Sequence, residues 1–219
     1  MPGFFNVDAV QQKNGADSHL IVDVHNENAH RFDKLKRRIP PQMERMDTLI
    51  SILGKCVPEL NTAPLYANLP AATDQISIVD WMYEHLSEQG LMVYEEWKEY
   101  FGHVPELKVL SEITFSEEPA DFIYSLIEKI DWSKVTIEPI EITYSVPWFE
   151  YINHFLAPEK LRIVDLWPFE NAFIFCVHDD VALLEQLDAC LKTFEMGIDW
   201  RPALDKQQVI EKMNAFVTQ

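Results

Sequence analysis

Residues 161–177 read Leu161-Arg162-Ile163-Val164-Asp165-Leu166-Trp167, then Pro168-Phe169-Glu170-Asn171, then Ala172-Phe173-Ile174-Phe175-Cys176-Val177. Two runs of strand length flank a turn rich in proline and asparagine, which is the pattern of a β-hairpin. The second run is apolar at every position, so it is expected at the centre of a sheet with both faces covered.

Working outward, the neighbouring segments read as helices. Asp179 or Asp180 is placed to cap a helix with Val181, Leu184, Leu187 and Leu191 inward. Pro147 opens a helix to about 156, and a last one runs about 205–217 with Val209, Ile210, Met213, Phe216 and Val217 inward. Upstream, Pro41 starts a helix carrying Met46, Leu49, Ile50 and Leu53, with Gly54 as its stop. Residues 57–72, with Pro58, Pro64 and Pro70, read as a surface connection. Thr73 or Asp74 then caps a helix with Ile76, Val79, Tyr83 and Leu86 inward, ended by Gly90. A short helix is expected over 92–101 and another from Pro119, with Ile123, Ile127 and Ile130 inward.

Alternation predicts further strands over 19–27, 107–115 and 134–146, the last with a change of parity near Pro139. About five strands and seven helices follow one another in mixed order. That order predicts an α+β fold, with helices packed on a mixed, mostly antiparallel sheet. The length of 219 residues suits a single domain over 1–219; were there two lobes, their boundary would fall near 57–72.

Composition narrows the function. Lys and Arg number 18 and Asp and Glu 36, a formal charge of −18. Residues 1–45 hold seven basic and six acidic side chains, and residues 46–219 hold eleven and thirty. A potential of that sign repels phosphate backbones and anionic lipid, so neither nucleic acid nor a membrane is an expected partner. No N-terminal leader and no membrane-length apolar run is visible. Three cysteines without a C-x-x-C read as reduced thiols, and a cytoplasmic location is expected.

The six glycines, at 3, 15, 54, 90, 102 and 197, are too far apart for a phosphate loop, a dinucleotide fingerprint or a nucleophile elbow. No zinc spacing is present, and no cofactor is expected. The nearest metal candidates, Asp23, His25 and Glu27, share one strand face, and the wet face of a half-exposed strand already accounts for them. The nearest catalytic candidates, His178, Asp179 and Asp180, lie where the apolar strand meets a helix, and capping already accounts for the acids.

One pattern works against helix stability. Asp80, Glu84 and Glu88 stand at i, i+4 and i+8 with no basic residue among them. Like charges at that spacing cost about 0.2–0.5 kcal/mol per pair. Glu95, Glu96 and Glu99 continue the acidity beside Tyr94 and Trp97. Aromatic anchors ringed by steering charges suit a protein interface. Asp80, Glu84, Glu88, Tyr94, Glu95, Glu96 and Glu99 are therefore the candidate binding residues. Residues 31–38 form the opposite case, with Arg31, Lys34, Lys36, Arg37 and Arg38; they suit either an external anion or the protein's own acidic face.

The expected function is a protein-binding module of immunity or inhibitor type that neutralises a basic partner. Two alternatives are a hydrolase or transferase with an unmarked pocket at the end of the apolar strand, and a structural or assembly subunit.

Overall fold

The two apolar runs of the 161–177 stretch pair antiparallel in the middle of a four-stranded sheet. The computed structural model describes residues 41–95, 103–135, 145–169 and 172–217, and residues from Gln42 onward belong to one compact unit. The strands are β1 (Met92–Tyr94), β2 (Leu161–Trp167), β3 (Phe173–His178) and β4 (Gly197–Asp199), in the order β1-β3-β2-β4 with every pair antiparallel. The helices are α1 (Pro41–Cys56), α2 (Ala63–Ala67), α3 (Gln75–Ser87), α4 (Pro119–Ile127), α5 (Trp148–Leu156), α6 (Val181–Lys192) and α7 (Lys206–Val217). The fold is α+β. Among the described residues the sheet has four strands, all paired antiparallel, where about five strands in a mostly antiparallel sheet were expected.

The period of two along β2 and β3 divides the core into two layers. Val164, Leu166, Phe175 and Val177 face α1, α3 and α6. Leu161, Ile163, Ile174 and Cys176 face α4, α5 and α7. β3 is apolar on both sides because helices cover both sides.

A polar network ties the second layer together. Asp165, on β2 and 1 % exposed, receives Arg201 in a two-pronged contact, Nε to Oδ1 at 2.7 Å and Nη2 to Oδ2 at 3.2 Å. Arg201 also reaches Asp199, which stands opposite Asp165 in the β2–β4 ladder, so one guanidinium neutralises two facing carboxylates. Burial pushes the Asp165 carboxyl up, and Arg201 opposes that shift. Asn153 of α5 acts as a substitute strand partner. β4 pairs with β2 only from Asp165 to Trp167. At Ile163 the Asn153 amide accepts from the backbone N–H at 2.6 Å and donates to the backbone C=O at 3.0 Å. The same Nδ2 donates to the carbonyl of Arg201 at 2.7 Å.

Several expectations need correction. The alternation over 107–115 is not a strand: Lys108–Leu110 is a 3-10 turn, closed by the Ser111 hydroxyl on the Lys108 carbonyl at 2.6 Å. Leu107 and Leu110, three apart, are the buried pair there. Residues 92–94 of the expected 92–101 helix are instead the edge strand β1, while 96–101 lie outside the described residues, as do 19–27 and 136–144. Gly54 does not stop α1, which runs on to Cys56. A Cβ at Gly54 would stand 2.8 Å from Thr62 Cγ2, so this glycine allows the following segment to approach the helix. On α3 the buried stripe is Ile78, Val79, Trp81, Met82, His85 and Leu86, and Ile76 is exposed. Val181 at the start of α6 is likewise exposed.

Cys56, Cys176 and Cys190 are all buried and free. Burial pushes the Cys56 thiol up to about 11 and the Cys176 thiol to about 12, and raises Cys190 as well. Since the thiolate is the reactive form, all three are expected to resist an aromatic disulfide reagent in the folded protein at mildly alkaline pH and to react in denaturant. Labelling at the rate of a free thiol without denaturant would contradict the burial.

Candidate functional site

A depression lies along α3. Asp74 caps the helix, with its Oδ1 accepting from the Ser77 backbone N–H at 3.0 Å and its Oδ2 from the Ser77 hydroxyl at 2.7 Å. The Ser77 contacts hold the Asp74 carboxyl below the usual range, so this acid is explained by the cap. The preceding segment is pinned back onto the helix. Trp81 Nε1 donates to the Asn68 carbonyl at 2.6 Å, and Asn68 Nδ2 donates to the Pro64 carbonyl at 3.1 Å. Between them opens a groove of about 590 Å³.

The walls of the groove differ in character. One, from the preceding segment, is apolar with Pro64, Leu69 and Pro70; the other, from α3 and its C-cap, carries Asp80, Trp81, Glu84, His85 and Glu88. At 100° per residue, Trp81 and His85 flank the acidic ridge on the groove side and Tyr83 flanks it on the other. All three acids are exposed. His85 also lines the groove, is 5 % exposed and packs edge-on against Trp81; its Nδ1 has no hydrogen-bond partner.

Several carboxylates elsewhere provide a contrast. Glu59 pairs with Lys108, Glu117 with Lys206, Glu150 with Lys212, Asp188 with Lys192, Asp179 with Arg162, and Asp165 with Arg201. Among the described residues, Asp80, Glu84 and Glu88 have no cationic partner.

The structure thus brings Asp80, Glu84 and Glu88 into one groove but not the remaining candidates. Glu95 lies beyond β1 and contacts His103 Nε2 at 3.3 Å. Tyr94 is 48 % exposed on the edge strand, in an aromatic cluster with Tyr83 and Phe173. Glu96, Glu99 and Trp97 lie outside the described residues, as do Asp23, His25 and Glu27 and the basic segment 31–38. At the end of β3, His178 is exposed; Asp179 is held by Arg162 at 2.9 Å, and Asp180 caps α6 through the N–H groups of Ala182 and Leu183. Neither carboxylate bonds to His178.

Trp81 and His85 are the groove residues that the sequence reading missed. Their spacing of four, one position after Asp80 and Glu84, was the available signal. The apolar stripe Ile76, Val79, Tyr83 and Leu86 has helical spacing of its own and masks that signal.

Among the described residues, no group of three or more His, Cys, Asp or Glu side chains is placed to hold a metal ion, and no helix is long and apolar enough to cross a membrane. No protein-family model, curated protein or solved structure matches the chain.

Proposed function

We propose that the chain is a binding module for a basic protein, which it engages through the groove along α3. The observation that carries this reading is the row Asp80, Glu84 and Glu88, without a cationic partner on a helix whose stability the row lowers. Several acids elsewhere are neutralised by neighbouring Lys or Arg; these three, like other exposed acids such as Glu185 and Glu195, have no such partner among the described residues. The formal charge of −18 supplies long-range attraction for a cationic protein and speeds encounter, as in proteins that neutralise a basic partner.

Glu84→Lys separates a binding role from a solubilising one. It places a cation between Asp80 and Glu88, turning two repulsive pairs into two attractive ones. Stability is expected to rise by up to about 1 kcal/mol. Capture of basic proteins from native lysate on the immobilised chain is expected to fall, with partners identified by mass spectrometry and their charge noted. Greater stability together with weaker capture is the signature of a surface that sacrifices stability for binding. If Glu84→Lys and Glu88→Lys retain the same partners at the same salt sensitivity, the groove is not the interface.

A further inference from the structure

The C-terminal helix α7, on the opposite face of the sheet from α3, carries its own local supports and few deep contacts. A capping box closes its first turn: Gln208 N–H donates to Asp205 Oδ1 at 2.9 Å, and Asp205 N–H donates to Gln208 Oε1 at 2.9 Å. Beside it, Gln207 Nε2 donates to Glu211 Oε1 at 2.8 Å, one turn along the helix. Toward the core, Val209 and Met213 are the buried side chains among its described residues, while Lys206, Gln207, Gln208, Glu211 and Lys212 are exposed. Helix α5, against which it lies, buries seven of its nine side chains. Apolar cover therefore holds α7 far less firmly than it holds α5.

Two lysines make up the difference. Lys206 Nζ lies 2.7 Å from Glu117 Oε2, and the other oxygen of Glu117 accepts from the Tyr151 hydroxyl. Lys212 Nζ lies 2.6 Å from Oε1 of Glu150, a residue of α5 that is 4 % exposed. The first pair is open to water and holds weakly. The second neutralises a buried carboxylate.

We propose that α7 is a strap that opens as one unit while the sheet stays folded, with Lys212 as its latch. On the body side Arg201 is fixed by Asp165 and by Asn153, so the hinge lies in 202–205, where the backbone has no regular structure. The electrostatics permit two states. Closed, the Glu150 carboxylate is buried and paired with Lys212. Open, it has lost that cation but gained water. Neither state holds a buried charge without compensation, so opening is resisted by the cover of Val209 and Met213 and by the Leu204 N–H bond to the Glu150 carbonyl at 2.9 Å. Taking the cation from Lys212 upsets this balance in one direction, because the closed state alone then keeps an unpaired acid. Opening bares a slot with Glu150 at its floor.

The test is amide hydrogen exchange of the full chain, read residue by residue by NMR. Amides from Ile210 to Asn214 are expected to share one opening equilibrium, populated about a hundredfold more than the opening that exposes Val164 and Phe175. Lys212→Met is expected to raise α7 exchange about tenfold or more. Ile50→Val, in the other core layer, is expected to speed exchange at Phe175 about fivefold and leave α7 unchanged, because it weakens the closed and open states equally. Should Lys212→Met fail to fold, Glu117→Gln loosens the exposed latch, with α7 exchange about two- to fivefold faster. Protection of α7 equal to that of Phe175, or acceleration together with it in Ile50→Val, would make α7 part of the core and overturn the strap. Exchange that rises residue by residue toward Val217 and ignores Lys212→Met and Glu117→Gln would be end fraying, and would overturn it as well.

Discussion

Arg201→Met is expected to destabilise the protein by about 3–5 kcal/mol, the cost of leaving one member of a buried ion pair without its partner. Asp165 is 1 % exposed, and Arg201 is its cation, bonded through both oxygens. Removing the guanidinium leaves Asp165 buried and facing Asp199 across the β2–β4 ladder, two like charges with no counter-ion between them. The position is also determined from other directions. Arg201 has φ +40°, a left-handed backbone that asks for support, and its carbonyl is held by Asn153. In a domain of this size the loss corresponds to a Tm lower by roughly 6–20 °C. Urea unfolding followed by circular dichroism gives the free energy directly. The double change Asp165→Leu with Arg201→Met is expected to recover much of it, because replacing both charges removes the desolvation that one left alone imposes. A single variant within about 1 kcal/mol of the unmodified protein would mean that the pair is not the anchor described above.

The second large effect is expected at Asn153. Asn153→Leu keeps the volume and removes the amide, leaving the N–H and C=O of Ile163 and the C=O of Arg201 without their bonds. A buried orphan of this kind costs about 1–3 kcal/mol, so with three groups affected a loss of about 3 kcal/mol or more is expected. The local readout is sharper than the global one. Hydrogen exchange at the Ile163 amide should accelerate more than at Val164 or Phe175, because Asn153 is its acceptor. Unchanged protection at Ile163 would show that another group replaces the amide. Asn153 and Arg201 share a contact, so their effects are not expected to add.

Much of the architecture could be read from short patterns whose physical cause is local. The pairing of β2 with β3 followed from two apolar runs around Pro168-Phe169-Glu170-Asn171. Caps at Thr73 or Asp74 and at Asp179 or Asp180 followed from the affinity of a short polar side chain for the free N–H groups of a first turn, and the packed chain uses Asp74 and Asp180. The central position of β3 followed from its lack of any polar residue before His178. The three-residue strands β1 and β4 could not be read, since three residues are too few to show a period of two. The segment over 107–115 misled because apolar alternation also arises in a turn whose buried residues, Leu107 and Leu110, are three apart.

The candidate site divides in the same way. Asp80, Glu84 and Glu88 were visible because helical spacing alone aligns them, and spacing belongs to the chain. That they border a groove, with Trp81 and His85 beside them and Leu69 and Pro70 opposite, depends on where the segment between α2 and α3 comes to rest. The bond from Trp81 to the Asn68 carbonyl sets that position. Likewise, sequence showed a surplus of acids, but only the packed chain showed which of them meet a cation. Arg201 is thirty-six residues from Asp165, and Lys206 is eighty-nine from Glu117. Patterns that repeat every two or four residues are inherited from the backbone and survive in the unfolded chain. Pairings across such separations exist only once the apolar layers have closed and brought their ends together.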